Sequence, residues 1–227
     1  MRDRRAELWQ QISCGCGIAA VILVVVGSTL PGQSPAALHG DDSAAITLFY
    51  AAHPSELTAS GYLLGLGAAL LIVLFGGLRT RLADGEDGAP SIAAIGFGAA
   101  AVGVSLQLGG AAIVTALAQR SDVSPDPATA VAMSEAASAL GGFAWFAFAV
   151  CFAVTAYLVA TSDALPRFIA WLSAGLVPLA LVSAPIPGST VDSATSGVML
   201  VWVVAVSLSL VRRRSQPRRP ASGRAAT

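Results

Sequence analysis

Lysine is absent from this chain, histidine occurs twice, cysteine three times, and charged residues make up only 11% of the whole. Each scarcity closes off some chemistry. With His39 and His53 as the whole histidine complement, and both in one inter-helical gap, a haem held by two histidines between helices is excluded. H-E-x-x-H is missing, which removes the usual intramembrane zinc protease, and no glycine-rich loop ends in Lys-Ser or Lys-Thr to cradle phosphates. Cys14, Cys16 and Cys151 form no C-x-x-C, so a thiol–disulfide relay is excluded too. The Cys14/Cys16 pair has neither a further cysteine nor a histidine nearby, so it reads as small residues in a helix seam and not as a metal or redox site. No ionisable side chain falls in the middle of an apolar run, whereas proton- or ion-coupled pumps need such groups there.

What the chain does have is length without charge. Hydrophobic residues amount to 55% and the mean hydropathy is +0.72, outside the range of ordinary soluble domains. A crossing of the bilayer needs roughly 20 apolar residues at about 1.5 Å rise each. Six stretches fit: Ile12–Leu30, Leu57–Leu78, Ser91–Ala118, Ala136–Ala160, Phe168–Ala184 and Thr195–Val211. The third is long and the fifth short, differences that tilt and local thinning absorb.

The formal net charge of zero conceals an asymmetry: of thirteen basic residues, all arginine, twelve occupy alternate gaps. These are Arg2, Arg4 and Arg5, then Arg79 and Arg81, then Arg167, then the arginines from Arg212 to Arg224. The intervening gaps hold Asp41, Asp42 and Glu56, then Asp122, Asp126 and Glu135 with Arg120, then Asp192. By the positive-inside rule both termini face the cytoplasm. The missing lysine and the abundant Ala and Gly suggest a high-GC bacterial genome, and hence a bacterial plasma membrane. Residues 1–211 read as one membrane domain, and 212–227 as a disordered, arginine-rich cytoplasmic tail held to anionic headgroups. Nucleic acid is not an expected partner; the lipid bilayer is, together with other membrane subunits.

Between the first two stretches, Asp41-Asp42-Ser43 forms an N-cap cluster, and Ile46, Phe49, Tyr50 and His53 follow at helical spacing, so a short amphipathic helix is expected on the outer surface, ended by Pro54. Asp126-Pro127 starts another helix that runs into the fourth stretch. The first stretch resembles a signal peptide in its basic start, but its full apolar length and the proline at Ser34-Pro35-Ala36 favour retention. The pairs Gly61/Gly65, Gly96/Ala100, Ala99/Gly103 and Ser138/Gly142 are spaced for close helix packing, and Pro178 predicts a kink in the fifth span.

Polar groups that could meet a ligand are few. Gln107 is the most polar residue at mid-span, serving either as interhelical glue or as the lining of a path. Tyr50, His53 and Glu135 would converge on the outer mouth. His39, Asp41, Asp42 and His53 carry suitable metal donors, but their spacing matches no metal site and a helix cap with two solvated histidines accounts for them better. No cofactor and no catalytic set is expected.

The run Phe49-Tyr50-Ala51-Ala52-His53, Leu57, Gly61-Tyr62-Leu63 and Gly77-Leu78-Arg79, followed by Asp126-Pro127-Ala128-Thr129-Ala130 and Ala164-Leu165-Pro166-Arg167-Phe168-Ile169-Ala170-Trp171-Leu172, resembles a group of uncharacterised bacterial six-helix membrane proteins catalogued as domain-of-unknown-function 4386-like. The resemblance implies an all-α bundle of six transmembrane helices with a Phe-Tyr- and His-bearing outer segment, and brings no catalytic residue. The expected function is that of a non-enzymatic multi-pass membrane protein, either an accessory subunit or one that binds a small molecule or lipid. A transporter or channel is the alternative, and a lipid-modifying enzyme the second.

Overall fold

The computed structural model describes residues 2–32, 43–84, 91–120, 127–162 and 164–212, with the side chains of 2–7, 43–47, 91 and 212 left aside. Seven α-helices and no strand occur among them: α1 Arg2–Thr29, α2 Ser43–Ala52, α3 Pro54–Ala83, α4 Ser91–Gln119, α5 Pro127–Thr161, α6 Arg167–Ser183 and α7 Thr190–Arg212. Five of the seven, all but α2 and α6, are long and apolar enough to cross a membrane. The expected fifth span becomes α6, 17 residues with Pro178 inside it. At about 1.5 Å per residue it reaches roughly 25 Å, short of the hydrocarbon thickness.

The helices overrun the apolar stretches. Helix α1 begins at Arg2 instead of Ile12 and α7 at Thr190 instead of Thr195, while α5 starts at Pro127 as expected and runs through the fourth stretch, 35 residues in all. Charge limits where a helix sits in lipid, but it does not end the backbone hydrogen-bond ladder. Asp41, Asp42, Asp126 and the tail 213–227 lie outside the described residues, and α3 ends at Ala83 with Asp84 as its cap.

Consecutive long helices are neighbours, α3 on α4, α4 on α5, α5 on α6 and α6 on α7, while α1 packs on both α3 and α7. The six therefore close into a ring, with α2 resting on α5, α3 and α4 at one end. Small residues permit the close contacts. A side chain at Gly61 would meet Thr115, one at Gly77 would meet Ser13, and one at Gly103 would stand 2.9 Å from Phe148. The glycine spacing read from sequence is thus a packing device.

Aromatic rings fill the middle. Trp145, Phe148, Phe152, Trp202 and Phe75 form a continuous chain, with successive centroids 5.9, 6.4, 5.1 and 6.2 Å apart. Each ring is at most 3% exposed, and Phe152 and Trp202 are fully buried. The Trp202 indole N–H donates to the Ser173 hydroxyl at 2.8 Å, which supplies the partner a buried indole needs. Three of these rings come from α5, one from α7 and one from α3, alternate helices around the ring, so the chain plugs its middle.

Candidate functional site

The end of the bundle that carries α2 packs around a small apolar cluster. Helix α2 delivers Tyr50 into a cluster with Leu57 of α3, Leu117 and Ala118 of α4, and Ala130 of α5. Tyr50 is 3% exposed, and its hydroxyl has no hydrogen-bond partner among the described residues. Burial pushes the phenol pKa above its ordinary value, with the Ser134 hydroxyl acting in the opposite direction without reaching hydrogen-bond geometry.

His53 joins α2 to α3. Its ring lies against Phe49 with centroids 5.0 Å apart, and Nδ1 stands 3.2 Å from the Phe49 carbonyl oxygen, so a protonated Nδ1 donates there. Its own carbonyl accepts from the Leu57 N–H at 3.0 Å, and Pro54 opens α3 where no donor is required. The histidine is thereby a half-buried hinge between two helices. Glu135 is exposed on α5 and shares no hydrogen bond or ion pair with Tyr50 or His53. The expected mouth therefore comes apart: its tyrosine is in a core, its histidine in a joint and its glutamate on the outside. Ser134 is the α5 residue turned toward Tyr50. His39, Asp41 and Asp42 lie outside the described residues, and among the described ones no group of three metal-binding side chains occurs.

Gln107 occupies a different kind of position. On α4 the residues Gly96, Ala100, Gly103, Gly110 and Leu117 are buried, and they define the inward stripe at spacings of three, four and seven. Gln107 is on that stripe, four residues after Gly103 and three before Gly110, yet it is exposed. The antiparallel register on α5 explains how. Gly96 faces Val154, Gly103 faces Phe148, Gly109 faces Leu140 and Gly110 faces the Ala137 carbonyl, which brings the neighbourhood of Gly141 opposite Gln107. A Cβ placed on Gly141 would meet nothing within 4 Å. Gln107 is therefore an exposed, uncharged amide with no hydrogen bond among the described residues, and the stretch of α5 facing it leaves open space at Gly141.

Two polar contacts escaped the sequence reading. The Asp192 carboxylate accepts the Trp145 indole N–H at 2.7 Å and the Gly188 N–H at 2.9 Å, while the Asp192 N–H donates to Ser189 Oγ at 3.1 Å. The signal was present: Ser189-x-x-Asp192 is a capping-box pattern at the start of α7. Here the acid reaches one residue further back, to Gly188, whose φ of 75° only glycine adopts freely. The second contact is a buried hydroxyl pair, Ser183 with Thr195 at 2.8 Å, fastening α6 to α7.

No family model, no curated protein and no solved structure matches this chain. The site's geometry is therefore the whole basis for a functional reading.

Proposed function

We propose that this chain is a non-enzymatic multi-pass membrane protein of the bacterial plasma membrane that binds a small, uncharged, hydrogen-bonding solute at Gln107. In this reading all six ring helices cross the bilayer, α6 with local thinning, the arginine-bearing ends lie in the cytoplasm and α2 lies on the outer face. One observation carries the binding role: an unpaired amide at mid-bundle, on a buried stripe, beside empty space at Gly141. An interhelical amide would have a partner. Carboxamide chemistry favours a neutral ligand, since a desolvated ion would need a counter-charge.

The aromatic chain closes the ring on the arginine side of the site, which supports binding over an open pore. Gln107, Glu135 and His53 share no hydrogen bond, and this leaves the enzyme reading without support. Water access to the site is the direct test. In a background with Cys14, Cys16 and Cys151 replaced by serine or alanine, Gln107→Cys should react with a membrane-impermeant maleimide added from the outer side and be protected by filling the gap with Gly141→Leu. Absence of labelling from either side, in folded protein, would overturn the site.

A further inference from the structure

On the opposite half of the molecule a groove of about 480 Å³ runs along α7 between α1 and α6, within the roughly 300–1,000 Å³ usual for ligand sites. Val21, Pro166, Phe168, Val201, Val204 and Leu208 are among its walls. Ser209 also lines it, but its hydroxyl is spent on the Ala205 carbonyl at 2.7 Å, so that side chain presents no free polar group. Phe168, Val201 and Leu208 are 53%, 61% and 45% exposed, so the groove opens sideways, where lipid would stand. Its apolar walls alone would fit any hydrocarbon. The end near α6 makes it selective.

Arg167 lies between two lining residues, Pro166 and Phe168. Its guanidinium is exposed and has no ion pair or hydrogen bond among the described residues. The other two described arginines near that end are engaged, Arg81 donating to the Ala164 carbonyl at 3.3 Å and Arg79 lying over the Phe97 ring at 5.9 Å. Arg167 is also the first residue of α6, whose N-terminus no side chain caps, so the helix dipole adds to the positive potential. A long apolar slot with an exposed cation between two of its wall residues, unpaired among the described residues, is complementary to a hydrocarbon tail ending in an anion.

We infer that this groove holds an acyl chain of an anionic glycerophospholipid from the leaflet on the arginine side, with the lipid phosphate on Arg167. The inference concerns a different face from Gln107 and stands whether or not a solute binds there.

The test uses full-length protein in nanodiscs of phosphatidylcholine and phosphatidylglycerol at four to one, released into the gas phase to count retained lipids. Phosphatidylglycerol should be retained about fivefold over its share, as one arginine–lipid contact predicts. Arg167→Gln should remove that preference and keep phosphatidylcholine binding. Val201→Trp and, separately, Leu208→Trp should fill the groove and reduce retention of both lipids; both positions are exposed, so at least one variant should keep the wild-type melting temperature. Equal retention of the two lipids by the wild type would overturn the inference. So would a preference that survives Arg167→Gln, retention untouched by both tryptophan variants, or displacement by inorganic phosphate alone, which would indicate a free-anion site.

Discussion

Single side chains settle which polar groups are structural and which are available. The Tyr50 hydroxyl is buried without a partner among the described residues, so removing it relieves a desolvation cost of about 1–3 kcal/mol. Tyr50→Phe is therefore expected to leave the melting temperature in detergent unchanged or raised, whereas Tyr50→Ala should lower stability by roughly 3 kcal/mol through the cavity it leaves. Because its phenol pKa is raised in the folded state, Tyr50 contributes stability that is complete below about pH 10 and declines as the pH rises past that point. Tyr50→Phe should flatten that alkaline decline; a decline equal to wild type would refute the assignment. Asp192 is the converse case. It satisfies two donors at once, and Asp192→Asn turns an amide N–H toward one of them, an expected loss of roughly 1–3 kcal/mol in thermal unfolding. Trp145→Phe, tested in the same way, should recover part of the loss when combined with Asp192→Asn. The Asp192 cap was marked in the sequence by Ser189-x-x-Asp192, but its reach to Trp145 and the burial of Tyr50 were not. Tyr50, His53 and Glu135 are close in the expected topology, but only helix rotation decides that Ser134, and not Glu135, turns to Tyr50. Sequence spacing fixes that rotation poorly in helices apolar on every side, because no polar face marks the direction of water.

Helices α4 and α5 show what can be read and what cannot at the level of elements. Their glycines announced close packing, and the structure has it at Gly96, Gly103 and Gly110. Spacing alone could not reveal that adjacent glycines play opposite roles. A Cβ on Gly142 would sit 2.5 Å from the Ala184 carbonyl oxygen, while one on Gly141 would touch nothing. Gly142→Ala should therefore force α5 away from the α6 end and destabilise by about 1–3 kcal/mol. Gly141→Ala should stabilise by up to about 1 kcal/mol from helix propensity alone. Melting temperatures of the two variants moving the same way would contradict the way α5 is turned toward the end of α6. The start of α6 at Arg167 falls one residue before the expected Phe168, just past Pro166, which restrains the chain before the first turn. The starts of α1 and α7 lie further from expectation, because those boundaries were drawn from hydropathy and a helix can carry its charges well past the lipid edge, whereas the helix expected to begin at Pro127 does so in α5.

At the scale of the whole molecule, an all-α class and several apolar helices followed directly from composition, and the closed ring follows from short connections between neighbouring helices. Sidedness is a matter of charge alone. Reporter fusions at residues 1 and 227 should both register the cytoplasmic side, and a fusion in the segment between α1 and α2 the outer side; termini on opposite sides would reduce the proposed crossings to five, with α6 not spanning.

The chain of rings through the middle of the bundle has an optical consequence. Trp145 and Trp202 belong to it and are 3% and 0% exposed, whereas Trp9 and Trp171 are 42% and 79% exposed on α1 and α6 near the arginine-bearing end. Brominated lipids should therefore dim the emission of the second pair and spare the first. Any event that parts the central stack would show as new quenching of Trp202, giving the molecule a built-in gauge of whether its interior ever opens.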